Sequence, residues 1–161
     1  MYYAKQIELA NIVKRAIEEF NVAEIYLLDR DLSERCICAK FAMYLERALS
    51  STVYSDYCVD VEYNRGMNND EYAQKSLNNR NIVVDLIVHK RGRQPLTDSF
   101  DNLICIEMKK RGARYHLADN KDRLRKLTTP QYGFNYRIGF MLIARKTGIT
   151  IDETFCHPFD F

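Results

Sequence analysis

Two apolar runs between positions 82 and 110 carry charge where a buried strand tolerates none, and this mismatch constrains the chain more than any other feature. The first reads Ile-Val-Val-Asp-Leu-Ile-Val-His-Lys from Ile82, the second Asn-Leu-Ile-Cys-Ile-Glu-Met-Lys-Lys from Asn102. Asp85 is flanked by Val83, Val84, Leu86 and Ile87. If that run is a strand covered on both faces, a lone carboxylate within it is disfavoured and needs a partner. Glu107 and Lys109 are two residues apart, so on a strand both side chains leave one face, about 6.8 Å apart along the chain. Neighbouring strands lie about 4.8 Å apart, so pairing Asp85 near Glu107 brings two acids together with an ammonium beside them. Carboxylates that close repel unless a cation sits between them. Hard oxygen donors, with no His or Cys alternating nearby, suit Mg2+ or Mn2+ better than zinc.

With 161 residues the chain is one domain of ordinary size, long enough to bury a core. A net charge of +2 is too mild to draw in nucleic acid by its overall field, so such a partner has to be gripped by a local basic patch. No apolar run approaches the roughly 20 residues of a membrane helix, and the N-terminus lacks a signal-peptide pattern. The expected location is therefore cytoplasmic, with no membrane partner. The cysteines are odd in number, and Cys36, Cys38, Cys58 and Cys105 lie in apolar runs, which predicts buried reduced thiols rather than a disulfide framework. Cys36 and Cys38 have no second ligand pair at zinc spacing, and Cys156 and His157 have no companions at ligand spacing.

Along the chain, positions 4–20 place Ile7, Ala10, Asn11, Val13, Lys14, Ile17 and Phe20 at a helical period, predicting an amphipathic helix before a short apolar patch at 25–28. Asp31 or Ser33 can cap a second helix that runs to about Leu49. At about 100° per residue, Glu34 falls on the stripe of Cys38, Phe41 and Leu45. An acid there either supports the helix start through the dipole or reaches inward to join Asp85 and Glu107. Positions 52–63 alternate, with Tyr57, Val59, Val61 and Tyr63 on one face, predicting a first core strand. Glu62 and Arg65 at its end are either a solvated pair or cleft residues. Positions 68–79 look like a polar loop, and 91–101 is too long for a tight hairpin.

After Lys109 come Lys110, Arg111, Arg114, Lys121, Arg123, Arg125 and Lys126, interrupted only by Asp119 and Asp122, the most basic part of the chain. Asp119 can cap a helix through Leu127 that turns Leu117, Leu124 and Leu127 inward and closes at Pro130. Such a segment is often just a solvated face, but its position directly after Lys109 favours phosphate contact. Positions 136–146 predict a fourth core strand and 149–155 an edge strand.

Asp85, a loop, and Glu107-Met108-Lys109 on a second apolar strand resemble the PD-(D/E)XK nuclease signature, with Val84 where the family often has Pro. The predicted order of helix, three strands, helix and strand after an extra N-terminal helix also resembles that family. The resemblance implies an α/β fold: a restriction-endonuclease-like αβββαβ core with a mixed central sheet. It implies a single nuclease-like domain over 1–161, with an accessory N-terminal helix in 1–30, the core in 31–146, and an edge strand and tail in 147–161. Glu34-Arg35 resembles the Glu-Arg pair that archaeal Holliday-junction resolvases carry in the first core helix.

The implied activity is metal-dependent phosphodiester hydrolysis of nucleic acid, DNA before RNA, with Mg2+ as cofactor and Mn2+ as its substitute. Glu34, Asp85, Glu107 and Lys109 would be catalytic, the three acids holding the metal. Lys110, Arg111, Arg114, Lys121 and Arg125 would hold the nucleic-acid backbone. Nucleases of this fold often act as homodimers. Two other readings remain open: a nuclease-fold binding or scaffold protein that does not cut, and a non-enzymatic domain in which Asp85 and Lys109 form a buried ion pair.

Overall fold

The computed structural model describes residues 6–68, 71–74, 76–77, 80–91, 101–112 and 117–158, with backbone alone for 65–68, 71–74 and 80. Arg114, the side chain of Arg65 and most of the 91–101 loop lie outside these described residues.

Helix α1 (Gln6–Ala23) buries Leu9, Ile12, Val13, Ala16, Ile17 and Phe20. The expected stripe is therefore rotated: Ile7 is 68% exposed, and Asn11 and Lys14 face out. Ile7 lies two residues, about 200°, away from Leu9, so the two cannot share a face, and the larger apolar set wins the core. The apolar patch after it is a short helix, α2 (Ile25–Asp29). Helix α3 (Glu34–Ser50) starts where expected, with Ser33 Oγ accepting from the Cys36 N–H at 3.2 Å. This satisfies one of the four unpaired N–H groups at the helix start.

The first core strand is shorter than the alternation suggested: β1 covers Cys58–Val61, because 51–56 turns and Glu62 takes a left-handed φ of 52°. The segment expected to be a loop instead forms two small hairpins, β2 (Arg65–Asn68) with β3 (Glu71–Gln74) and β4 (Ser76–Leu77) with β5 (Arg80–Asn81). Polar composition hid them, since backbone pairing at the surface needs no apolar alternation. The motif strands are β6 (Leu86–His89) and β7 (Asn102–Lys110). Helix α4 (Leu117–Thr128) begins two residues before Asp119, which is a first-turn acid and not its cap. A 3-10 turn over Pro130–Tyr132 leads to β8 (Ile138–Arg145) and β9 (Gly148–Cys156).

The described residues form a mixed α/β structure with four α-helices and a five-stranded sheet in the order β1-β6-β7-β8-β9. Only β7 and β8 run parallel, the α4 crossover joining them; the other neighbours are antiparallel. On β7, Ile104, Ile106 and Met108 pack with α1 and α3, while Cys105 packs with Leu124 and Leu127 of α4. Strand alternation thus gives each face its own helical layer. Cys38 and Cys105 are buried free thiols and Cys58 is partly covered, but Cys36 and Cys156 are exposed. Cys36 departs from expectation because α3 turns Ile37 and Cys38 inward, which leaves position 36 on the solvent side. Among the described residues no helix is long and apolar enough to cross a membrane.

Candidate functional site

The site forms where the sheet opens. β6 begins at Leu86, opposite Ile106, so β7 continues past its partner and leaves the N–H groups of Met108 and Lys110 without a ladder acceptor. Two carboxylates take them over. Asp85 Oδ2 accepts from Met108 N at 2.8 Å, and Glu34 Oε1 accepts from Lys110 N at 3.1 Å. Asp85 is thus not inside a strand, as its apolar neighbours suggested, but at the bend just before β6, partly exposed. A lone buried charge would have cost too much there; the bend lets the carboxylate reach both water and the free backbone donor.

Glu107 lies deeper, 1% exposed, across from Asp85 just before β6 and within reach of its charge. Arg123 of α4 donates to Glu107 Oε1 at 2.9 Å and to the Val83 carbonyl at 3.0 Å. Burial first, and then the Asp85 charge, push the Glu107 carboxyl up to about 8, despite the guanidinium pulling the other way. Arg123 and Glu107 have the geometry of an ion pair, yet desolvation and the Asp85 charge outweigh that contact and favour the protonated carboxyl. Asp85 is also raised, by burial, although the Met108 N–H, Lys109 and Glu107 each oppose the rise.

Lys109 leaves β7 next to the open edge, and its ammonium reaches Glu34 Oε2 at 2.8 Å. Burial works against its charge, but the hydrogen bond to Glu34 and the charges of Asp85, Glu34 and Glu107 more than compensate and raise its pKa. Glu34, Asp85, Glu107 and Lys109 therefore form one connected set drawn from α3, the β6 bend and β7. The cleft in front of them, about 630 Å³, is lined by Glu34, Cys38, Asp85 and Lys110, with Arg35 and Glu62 among the other walls. Arg35 and Glu62 pair with each other at 2.8 Å. The Cys38 thiol is pushed well up by burial and then by Asp85, Glu34 and Glu107, so it is a neutral wall of the cleft and not a nucleophile.

The expected backbone-holding residues separate. Lys110 and Arg111 line the cleft. Lys121 is held at 2.8 Å by both Asp152 and Glu153 of β9, and Arg125 lies over the Phe155 ring. Arg123, expected only as one more cation, instead ties the two motif segments together. Its signal was present: it shares a helical stripe with Asn120 and Leu127, both buried, the same pattern that singled out Glu34.

Among the described residues no group of three or more His, Cys, Asp or Glu is arranged as a metal-holding set. Glu34 is occupied on both oxygens, by Lys109 Nζ and Lys110 N. Asp85 and Glu107 do have the donor chemistry of a divalent-cation site: hard oxygens on paired segments, both carboxyls raised by burial, which a cation would offset. No protein-family model, curated protein or solved structure matches the chain.

Proposed function

We propose that the protein hydrolyses phosphodiester bonds in nucleic acid, DNA in the first place, with Mg2+ or Mn2+ held by Asp85 and Glu107. The observation that carries this is the register that sets Asp85 across from Glu107 at the open strand edge, with the Lys109 ammonium on the Glu34 carboxylate beside it. The element order α3, β1, β6, β7, α4, β8 and the mixed sheet are what an αβββαβ nuclease core requires, which supports the PD-(D/E)XK resemblance.

A divalent ion held by the two acids would supply charge neutralisation at the phosphate and acidify a water. Both acids are raised by burial, so holding the ion would favour their deprotonated forms. Lys109 stays an ammonium and therefore does not act as the base. It donates hydrogen bonds and offsets negative charge as it develops on the phosphate. Glu34 fixes that ammonium in place. Arg123 sets the spacing of the two acids by gripping Glu107 and the carbonyl of Val83, two residues before Asp85.

A second reading, a nucleic-acid-binding or scaffold protein that does not cut, is favoured by one observation. Asp85 and Glu34 already have a structural task in accepting the free N–H groups of β7. Incubating the purified protein with linear, circular, single-stranded and branched DNA plus Mg2+ or Mn2+ separates the two. Cleavage by wild type that is lost in Asp85→Ala and Lys109→Ala, with DNA binding kept, is expected. Absence of cleavage on every substrate, with wild type and Glu107→Ala indistinguishable, leaves the binding protein.

A further inference from the structure

The cations nearest the cleft come from two strand ends. β7 and β8 run parallel, so their C-terminal ends reach the same edge of the sheet, with Lys110 in register with Ala144. The Arg111 N–H donates to the Ala144 carbonyl at 2.9 Å, which sets Arg111 beside Arg145. A second hollow of about 490 Å³ opens there, walled by Lys110, Arg111, Arg145 and Lys146, with Asp31 as its acid. Lys110 and Arg111 line both hollows, so the two share a wall.

The charge balance changes along this path. Around the first hollow, Glu34, Glu62 and Asp85 offset Arg35, Lys110 and Arg111. In the second, four cations face one acid. Asp31 binds Lys110 at 2.5 Å but is 87% exposed, and Asp29 binds Lys146 at 3.3 Å with both side chains exposed. Pairs held by such exposed aspartates are weak, so another anion can take their place. Two arginines and two lysines offer both forked and point-charge donors, a combination suited to successive phosphates. The cations of α4 are differently engaged, Lys121 by Asp152 and Glu153, and Lys126 by Asp122.

We infer that the strand-end hollow binds the phosphodiester backbone, carrying a nucleic-acid strand from the cleft at Glu34 and Asp85 over Arg111 to Arg145 and Lys146. This rests on the proposed phosphodiester site and supplies its substrate track. The test is fluorescence anisotropy of fluorescein-labelled single-stranded and duplex DNA in EDTA, over a series of KCl concentrations, alongside cleavage in Mg2+. Compared with wild type, R145E/K146E should bind about tenfold or more weakly, and R145Q/K146Q should lower the slope of log affinity against log salt by about 1.4–1.8, the value for two lost phosphate contacts. The control K14Q/R47Q, on exposed faces of α1 and α3, should match wild type. Circular dichroism checks folding, and Lys146→Gln, at an exposed position, keeps the test open if the double variants do not fold.

Wild type that cuts DNA, with R145Q/K146Q binding and cutting as before, overturns the track and leaves the cleft assignment standing. Wild type that neither binds nor cuts overturns both. Wild type that binds without cutting, with binding weakened in R145Q/K146Q, supports the track and overturns the catalytic reading.

Discussion

At the scale of single residues, Glu107 is pulled two ways, and the outcome sets a pH dependence. Its carboxyl is raised to about 8, from an ordinary value of 4.5, by burial and by Asp85. Between those values the folded protein holds a proton that the unfolded chain has released, so stability in chelator should fall as pH rises from about 4.5 through 8. The loss should amount to roughly a few kcal/mol, read as a drop in melting temperature over a pH series. Glu107→Gln keeps the shape and removes the titration, so its curve should be flatter and should lie above wild type at alkaline pH. A wild-type curve that stays flat over this window counts against a buried, protonated Glu107. Lys109 poses the complementary test: Lys109→Ala should lose cleavage while binding DNA nearly as well as wild type, measured by gel shift in Ca2+ or EDTA. The residue-scale features legible in the sequence were those that broke an apolar pattern, namely Asp85, Glu34 and the Glu107-Lys109 pair. The raised Glu107 carboxyl was not legible, because it depends on burial between packed layers and on the Asp85 charge arriving from another element.

At the scale of elements, the site depends on where strands and helices stop. β6 stops short of β7, and α3 starts one residue after Ser33, so Asp85 and Glu34 meet the same free edge. Ser33→Ala should cost about 1 kcal/mol, typical of a lost N-cap, and should also lower cleavage by loosening the turn that carries Glu34; chemical denaturation and an activity assay report the two effects separately. The β8–β9 turn is fixed from α1. Asn21 donates to the Ile149 carbonyl at 3.0 Å and accepts from the Ile149 N–H at 2.7 Å. Gly148 sits there with φ of 137°, and a Cβ would come within 2.9 Å of the Asn21 side chain. Gly148→Ala should therefore destabilise by about 1–3 kcal/mol, from backbone strain plus the displaced amide, visible as an earlier urea midpoint with an unchanged slope. Helical periods and apolar strands were readable because burial imposes them. The β2–β3 and β4–β5 hairpins were not, because their pairing depends on backbone groups that polar sequences satisfy equally well.

At the scale of the whole molecule, the sheet holds two helical layers apart and leaves the acids at its open edge. A divalent ion that binds the folded protein alone should stabilise it: at tenfold excess over the dissociation constant, about 1.4 kcal/mol, or roughly 3–6 °C in melting temperature. Asp85→Ala and Glu107→Gln should lose that Mg2+ shift, and EDTA should return wild type to the metal-free value; identical melting with Mg2+ and with EDTA argues against an ion between the two acids. The sequence by itself determined the order of the main elements and the residues whose charge conflicts with a buried position, because periodicity and desolvation act on each segment locally. Only the tertiary structure decided that β6 begins only at Leu86, that Glu34 and Asp85 cap the exposed edge of β7, and that Arg123 grips both motif segments. Those outcomes turn on strand lengths and on contacts between distant segments, whose energies do not exist until the layers are packed.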